Sequence, residues 1–267
     1  MGSIGMKNFK IRNLVLGEGE PKVCVSLIAS NFKELFAEAM RVSKLDCDII
    51  EWRADYFMYI NDLEFMRKAA YFIRYAIEDK PLIFTFRTQE EGGGQAIDDD
   101  FYFYLNHYMI KTGLVDAIDL ELSRLPEFNM NIIDFAKENS VKVVISHHNL
   151  QKTPSAEQLE EMLTDMKTLG ATVGKIAVTP NDFDDVLEIL KASNNMKNNH
   201  PEIPFMLNGM GEIGKLTRLT GELFGSVLTF ASNGKQSSAP GQMSIEEVRS
   251  GLKLFNKEEE KRSDYFG

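Results

Sequence analysis

One pattern limits the possible folds of this chain more than any other: eight short apolar runs alternate with eight segments of helical periodicity. The strand-like runs lie at 23–28, 48–53, 82–87, 117–122, 141–146, 172–178, 204–208 and 227–231. Apolar residues at helical spacing mark the segments 32–42, 62–77, 101–111, 132–137, 156–169, 182–192, 213–224 and 245–255. Strict alternation predicts a parallel sheet, and eight strand–helix units predict its closure into a (β/α)8 barrel, the TIM barrel of the α/β class.

The main alternative is an open, doubly wound α/β sheet. The glycine fingerprint G-x-G-x-x-G, typical of dinucleotide-binding sheets, does not follow the first predicted strand. Residues 9–16 precede that strand and are expected to form a small strand or hairpin that caps the barrel floor. We therefore expect a single catalytic barrel domain over residues 6–267, and we interpret residues 1–5 as a cloning remnant outside it.

Charge and composition exclude several classes of function. The net charge of −10 leaves no basic stripe that could follow a phosphate backbone, so no nucleic acid partner is expected. No apolar run approaches the roughly 18 residues of a membrane span, so no membrane association is expected either. The two cysteines, Cys24 and Cys47, lie inside apolar runs and are expected to be reduced and buried, as in a cytoplasmic protein.

Polar side chains recur inside the predicted strands. Because successive strand residues point to opposite faces, residues two apart share one face. The polar faces carry Glu51 with Arg53, Thr85 with Arg87, Asp119 with Glu121, Ser146 with His148, and singly Lys175 and Asn208. We expect this set to line the barrel axis near the C-terminal ends of the strands, where such barrels hold their active sites. The alternative is an internal salt-bridge network, since buried charges persist only when they are paired or bind a ligand.

Lys175 occupies a strand position that an apolar residue would normally fill. Burial and the nearby cations Arg53 and Arg87 are expected to lower its pKa and to expose a free amine that can attack a carbonyl carbon. The alternative is a lysine that reaches solvent or pairs with Glu121.

Two further residues suit proton transfer and anion binding. His148 shares a face with Ser146, so His148 rather than His147 is expected at the axis, where an imidazole can transfer protons near neutral pH. Adjacent histidines on a strand diverge, and no zinc-ligand spacing surrounds them, so no metal site is expected. Arg218 follows a glycine-rich turn into a helix, a setting that favours a substrate carboxylate; the alternative is a solvated surface arginine.

The loop at residues 232–242 is small, polar and rich in turn-forming residues. It follows the last predicted strand, at the face where barrels of this type carry out catalysis. We interpret it as a mobile lid, with a plain connector as the alternative.

An ordered series of motifs, from about residue 7 to residue 255, resembles the type I 3-dehydroquinase family. The series includes Glu51-Trp52-Arg53-Ala54-Asp55, Phe84-Thr85-Phe86-Arg87 with Glu91-Gly92-Gly93, Asp119-Leu120-Glu121-Leu122, Ser146-His147-His148-Asn149, Gly174-Lys175-Ile176-Ala177 and Ser238-Ala239-Pro240-Gly241-Gln242. The resemblance implies a lyase of the shikimate pathway that uses no cofactor and no metal and converts 3-dehydroquinate to 3-dehydroshikimate and water. Because the family often forms dimers, a homodimer is expected.

The resemblance also assigns roles to residues. Lys175 is implied to form an imine with the C3 ketone, His148 to move the protons at C2 and C1, and Glu91 to orient His148. The implied substrate-binding residues are Ser26, Glu51, Arg53 and Arg87 for the ring hydroxyls, and Arg218, Ser238 and Gln242 for the carboxylate and nearby hydroxyls. The sequence departs from the family pattern at Asn208, where many members have methionine, and at Leu150, where an aromatic residue is common.

Two other functions are compatible with the same predicted fold. A class I aldolase on the same fold would also use a lysine on a strand, but Arg218, Ser238 and Gln242 suit a compact carboxylate better than a sugar phosphate. A catalytically silent barrel that binds a metabolite or a partner protein is the second alternative. The presence of both Lys175 and His148 argues against it.

Overall fold

The computed structural model describes residues 6–125, 131–235 and 239–255, which form a parallel barrel preceded by a hairpin. The hairpin pairs β1 (Phe9–Ile11) with β2 (Leu14–Leu16) in antiparallel fashion. The parallel strands are β3 (Lys22–Leu27), β4 (Ile49–Arg53), β5 (Leu82–Thr85), β6 (Ala117–Glu121), β7 (Lys142–Asn149), β8 (Val173–Val178), β9 (Phe205–Gly209) and β10 (Leu228–Ala231). The predicted barrel class and the N-terminal hairpin are confirmed.

The strands lie side by side in chain order, and β10 pairs with β3. Between β9 and β10, the amide of Val227 donates a hydrogen bond to the carbonyl oxygen of Phe205 over 2.9 Å. This contact nearly closes the sheet into a cylinder, so the C-terminal ends of all these strands meet at one mouth.

Several of the helices begin where the sequence provides a capping residue. The helices are α1 (Phe32–Val42), α2 (Leu63–Ile77), α3 (Asp99–Lys111), α4 (Asn131–Glu138), α5 (Ala156–Leu169), α6 (Phe183–Asn199), α7 (Gly211–Leu219), α8 (Gly221–Phe224) and α9 (Ile245–Phe255). The side chains of Asn31, Asp62, Asp98, Ser155 and Asp182 each accept a hydrogen bond from an amide of the first turn that follows. No helix in the described ranges is both long enough and apolar enough to cross a membrane.

Two predicted helix boundaries are wrong. The helix predicted at 182–192 continues to Asn199, because Met196 is fully buried and Asn195 donates a hydrogen bond to Glu160 of α5 over 2.8 Å. The helix predicted at 213–224 is divided at Thr220, whose hydroxyl donates to the carbonyl oxygen of Leu216 over 2.8 Å. In both cases tertiary or local hydrogen bonds override the apolar period.

The barrel interior is layered, and its lowest layer is apolar. One buried cluster joins the first residues of three strands to the hairpin. It includes Ile49 of β4, Ala117 of β6 and Val173 of β8, together with Ile11 and Leu16 of the hairpin. The hairpin therefore closes the barrel floor. This apolar floor leaves the polar interior residues at the opposite end of the strands.

Strand register fixes the heights of these polar residues. Lys175 lies level with Ser146 of β7 and Met206 of β9. One layer closer to the mouth, Ala177 lies level with His148 on one side and Asn208 on the other. The axial layers thus stack the polar residues in a fixed order.

Candidate active site

A cavity of about 90 Å³ lies at the C-terminal mouth of the barrel. Of the residues expected at the site, the structure places eight in its wall: Glu51, Arg53, Arg87, Glu91, His148, Lys175, Arg218 and Gln242. Ser26 contacts the site through Glu51, because its hydroxyl donates a hydrogen bond to Oε2 of Glu51 over 2.6 Å. Ser238 lies outside the described residues.

Lys175 is held between two carboxylates at the bottom of this cavity. Its Nζ lies 3.0 Å from Oδ2 of Asp119 and 3.2 Å from Oε1 of Glu51. The ammonium group also lies over the ring of Phe230, 4.6 Å from the ring centre, a cation–π contact. The lysine side chain is therefore fixed in position and electrostatically satisfied.

The expectation that the pKa of Lys175 is lowered is wrong. Burial and Arg87 do lower the pKa, but the carboxylates of Asp119 and Glu51 have the larger combined effect, so the pKa of Lys175 is raised above its ordinary value. The lysine is an ammonium ion in this state. A reaction that needs its free amine must first weaken these two ion pairs and remove a proton.

Arg87 organises the carboxylates on the other side of Lys175. Its guanidinium donates to Asp119 over 2.8 Å, to Glu121 over 2.9 Å and to Glu91 over 3.0 Å. Burial acts to raise the pKa of Asp119, but Arg87 and Lys175 outweigh it and keep that pKa below its ordinary value. An internal salt-bridge network thus exists, and it surrounds the cavity without filling it.

His148 is held by Glu91, which enters through the loop after β5. Oε2 of Glu91 lies 3.0 Å from Nδ1 of His148, and it accepts a hydrogen bond from the backbone amide of His148 over 3.1 Å. His147 approaches the other oxygen of Glu91 at 3.7 Å and does not line the cavity. Because the carboxylate accepts from Nδ1–H, this geometry assigns the proton to Nδ1 and leaves the lone pair on Nε2.

The imidazole of His148 is neutral at physiological pH. Burial lowers the pKa of His148 most, the charge of Arg87 lowers it further, and the hydrogen bond to Glu91 only partly opposes them, so the pKa is about 4. Its side chain is 14% exposed, which lets a ligand in the cavity reach it. A neutral, oriented imidazole can act as a general base.

A glycine pair lets the Glu91 loop fold this tightly. Gly92 has φ of 86°, in the left-handed region, and a Cβ on Gly93 would lie only 1.8 Å from the carbonyl oxygen of Arg87. Side chains at these positions would push the loop away from Arg87. The Glu91-Gly92-Gly93 motif therefore brings the carboxylate of Glu91 to His148.

Arg218 reaches the cavity from the last turn of α7. It is 2% exposed, and within the described ranges no group accepts a hydrogen bond from its Nε. Burial lowers the pKa of Arg218 to about 10, and no carboxylate of the described residues opposes the effect. A buried guanidinium without an acidic neighbour is suited to bind an anionic ligand.

The N-terminus of α7 contacts the loop that follows β10. The amide of Gly211, the first residue of α7, donates a hydrogen bond to the carbonyl oxygen of Pro240 over 3.1 Å. The described part of the loop after β10 therefore contacts the first turn of α7. This contact seats Pro240 and Gln242 over the cavity, both of which line it.

Three residues in the site were not assigned roles from the sequence. Asp119 pairs with Lys175, Phe230 lies under the same ammonium group, and Asn208 lines the cavity. Strand parity pointed to Asp119 and Asn208, but parity alone does not say which polar neighbours touch. The described residues contain no group of three or more His, Cys, Asp or Glu side chains that could hold a metal ion.

Comparison with known proteins shows similarity along nearly the whole chain. The family model for type I 3-dehydroquinase matches residues 23–259. A 3-dehydroquinate dehydratase from Clostridium novyi is 41% identical over 251 residues, which cover 94% of this chain and 99% of that protein. The crystal structure of the type I 3-dehydroquinate dehydratase from Clostridium difficile, described with covalently modified comenic acid, superposes with a TM-score of 0.90 at 40% identity, covering 94% of this chain and 98% of that one. The 3-dehydroquinate dehydratase from Geobacillus kaustophilus gives a TM-score of 0.91 at 33% identity, covering 95% and 98%.

Proposed function

This chain belongs to the type I 3-dehydroquinase family and dehydrates 3-dehydroquinate, and we propose that Lys175, His148 and Glu91 are the residues that carry out the reaction. The observation that carries the assignment is that Nζ of Lys175 and the imidazole of His148 share one cavity, while Nδ1 of His148 is occupied by Glu91. This arrangement supplies a nucleophile and an oriented base on the same side of a bound ligand.

The first step releases the amine of Lys175. In the ligand-free site Glu51 and Asp119 hold the lysine as an ammonium ion. When a ring hydroxyl of the substrate donates a hydrogen bond to Glu51, that carboxylate interacts less strongly with Nζ, so the pKa of Lys175 falls. His148 takes up the proton that Lys175 loses, and the free amine adds to the C3 carbonyl carbon. His148 then returns that proton to the carbinol oxygen, which leaves as water and gives a protonated imine.

The second step moves two protons through His148. Nε2 of His148 removes a proton from C2, and the electron pair left at C2 flows into the protonated imine to give a neutral enamine. The enamine then expels the C1 hydroxyl, which leaves as water after His148 returns the proton. Hydrolysis of the conjugated imine restores Lys175 and releases 3-dehydroshikimate, so atoms and charges balance without a cofactor.

The substrate carboxylate belongs at Arg218 in this scheme. Support comes from the burial of that guanidinium and from its lack of an acidic neighbour in the described part of the chain. Gln242 lines the cavity beside it, and Ser238 is assigned to the same end by the family resemblance. Ser26, Glu51, Arg53 and Arg87 are proposed to position the ring hydroxyls from the opposite wall.

Borohydride trapping tests the assignment directly. Reduction in the presence of 3-dehydroquinate should convert the imine to a stable secondary amine, and peptide mass mapping should find the adduct on Lys175. Reduction without substrate is the control and should leave the chain unmodified. An adduct on another lysine, or no adduct while turnover continues, would refute the role of Lys175.

The loop at 232–242 is proposed to act as a lid. Its small polar residues bury little apolar area, so ligand contacts must offset the entropy of closing it. Limited proteolysis should cleave this loop more slowly with 3-dehydroquinate present than without it. Equal cleavage under both conditions would contradict the lid.

The assembly and location of the chain are further proposals. We infer a homodimer in the cytoplasm, with residues 6–267 as one catalytic domain. Two free cysteines, both buried, fit a reducing compartment, and the family match over 23–259 supports a single unit. Light scattering after gel filtration should give twice the chain mass of 30.3 kDa; a value equal to one chain would contradict the dimer.

A further inference from the structure

Asn208 has no role in the scheme above, yet it lines the cavity. Its side chain is 1% exposed, and neither Oδ1 nor Nδ2 has a hydrogen-bonding partner among the residues described. Buried amide atoms are nearly always paired, because leaving them unpaired destabilises the folded state. An unpaired amide in the wall of a ligand cavity therefore indicates a partner that arrives with the ligand.

Strand register places Asn208 two strands away from the proposed base, in the same layer. His148, Ala177 and Asn208 occupy one layer on three neighbouring strands, and all three line the cavity. Neighbouring strands are about 4.8 Å apart, so the backbones of His148 and Asn208 are separated by roughly 10 Å. The small side chain of Ala177 leaves room between them for the reacting end of a substrate.

Asn208 is also tied to the proposed carboxylate site. The amide of Gly209, the next residue, donates a hydrogen bond to Oγ1 of Thr217 over 2.8 Å, and Thr217 precedes Arg218. The strand carrying Asn208 and the helix turn carrying Arg218 are therefore held together. A substrate whose carboxylate binds Arg218 brings C1 to the side of the cavity where Asn208 lies.

We propose that the side-chain amide of Asn208 binds the C1 hydroxyl and the adjacent carboxylate of the substrate, with Ala177 between it and His148. Oδ1 accepts the hydroxyl hydrogen, and Nδ2 donates to a carboxylate oxygen. This orientation leaves the lone pairs of the hydroxyl oxygen available to the proton that His148 returns. Asn208 would thus select an α-hydroxy acid and fix the C–O bond that breaks. The proposal rests on the proposed function of the site.

The variant Asn208→Leu tests whether Asn208 binds the substrate or is a buried amide without a function. Leucine has nearly the same shape as asparagine but no polar side-chain atoms. Removing two unpaired atoms should raise the Tm of the ligand-free protein by roughly 2 °C or more. At the same time kcat/KM for 3-dehydroquinate should fall about 10-fold or more. A raised Tm with unchanged kcat/KM would overturn the proposal. If Asn208→Leu does not fold, Asn208→Met takes its place, because methionine is also apolar and has a similar volume.

A comparison of two ligands tests which substrate group is bound. In a Lys175→Met background, where no imine forms, calorimetry gives the Kd of 3-dehydroquinate and of 3-dehydroshikimate, which lacks the C1 hydroxyl. Adding Asn208→Leu should weaken binding of 3-dehydroquinate about 10-fold and of 3-dehydroshikimate about 3-fold or less. Equal weakening would overturn the assignment to the C1 hydroxyl.

The outcomes distinguish this inference from the proposed function. If the unsubstituted chain gives no borohydride adduct on Lys175, the proposed function fails. If that adduct forms while Asn208→Leu leaves both kcat/KM and the two Kd values unchanged, only the role of Asn208 is wrong.

Discussion

Replacing Lys175 by methionine should abolish turnover and also destabilise the fold. Methionine keeps an unbranched side chain of similar length, so the packing change is small. The charge change is large, because Nζ of Lys175 lies 3.0 Å from Asp119 and 3.2 Å from Glu51. Asp119 keeps Arg87 at 2.8 Å, whereas Glu51 keeps the hydroxyls of Ser26 and Thr85 but loses its ammonium partner.

The expected magnitude follows from the burial of the pair. Removing one partner of a buried ion pair costs about 3–5 kcal/mol, which corresponds to a fall in Tm of roughly 6 to 20 °C for a chain of this size. The exposed pair of Lys191 and Glu157, at 2.9 Å, provides a matched control. Lys191→Met should leave the Tm unchanged, because exposed ion pairs are screened by solvent.

The loss of stability caused by Lys175→Met should depend on pH. In the unsubstituted chain the pKa of Glu51 is lowered: burial acts to raise it, but Lys175 and Arg53 outweigh burial. That ionised carboxylate stabilises the fold above its unfolded pKa, and the contribution fades as pH falls. In Lys175→Met the pKa of the carboxylate rises, so protonation at lower pH relieves the unpaired charge. The stability gap between the two proteins should narrow from pH 7 to pH 5.

Thermal or urea unfolding at pH 7 and pH 5 measures the stability of the unsubstituted chain, of Lys175→Met and of Lys191→Met. An activity assay of the same proteins runs in parallel. A Lys175→Met variant as stable as Lys191→Met, or a gap that widens as pH falls, would refute the account of the buried pair. Turnover near that of the unsubstituted chain would refute the imine.

Five further substitutions test the remaining groups. His148→Ala should slow turnover by about 10² to 10⁴ while borohydride trapping persists, and His147→Ala should do much less; the reverse order would contradict the choice of base. Glu91→Gln removes the carboxylate that raises the pKa of His148, so the acid limb of the pH profile of kcat/KM should move to lower pH, and the plateau of kcat/KM should fall. An acid limb at the same pH as in the unsubstituted chain would contradict an effect of Glu91 on His148. Arg218→Ala should raise KM more than Gln242→Ala does, because a charge-assisted contact is stronger than a neutral one; equal effects would argue against a carboxylate at Arg218.

Local sequence patterns were enough to predict the architecture. Eight apolar runs alternating with helical segments are a property of local spacing, and they predicted the barrel. Residues 9–16, before the first of these runs, were expected to form a small strand or hairpin, and they form the hairpin. Where α5 and α6 begin is also a local matter, because the caps Ser155 and Asp182 act on amides only a few positions away. Strand parity selected Lys175 and His148 as axial residues for the same reason: alternation is fixed by the geometry of a single strand.

The tertiary structure decided what the local signals could not. The pKa of Lys175 depends on Asp119 and Glu51, which lie 56 and 124 positions away along the chain, and only the assembled barrel sets their distances from Nζ. The length of α6 depends on Glu160 of a neighbouring helix, and the unpaired amide of Asn208 is defined by what surrounds it after folding. The periodicity of strands and helices is set by backbone geometry over a few residues. Charge balance and hydrogen bonding in the site depend on residues that are far apart in sequence and meet only when the chain folds.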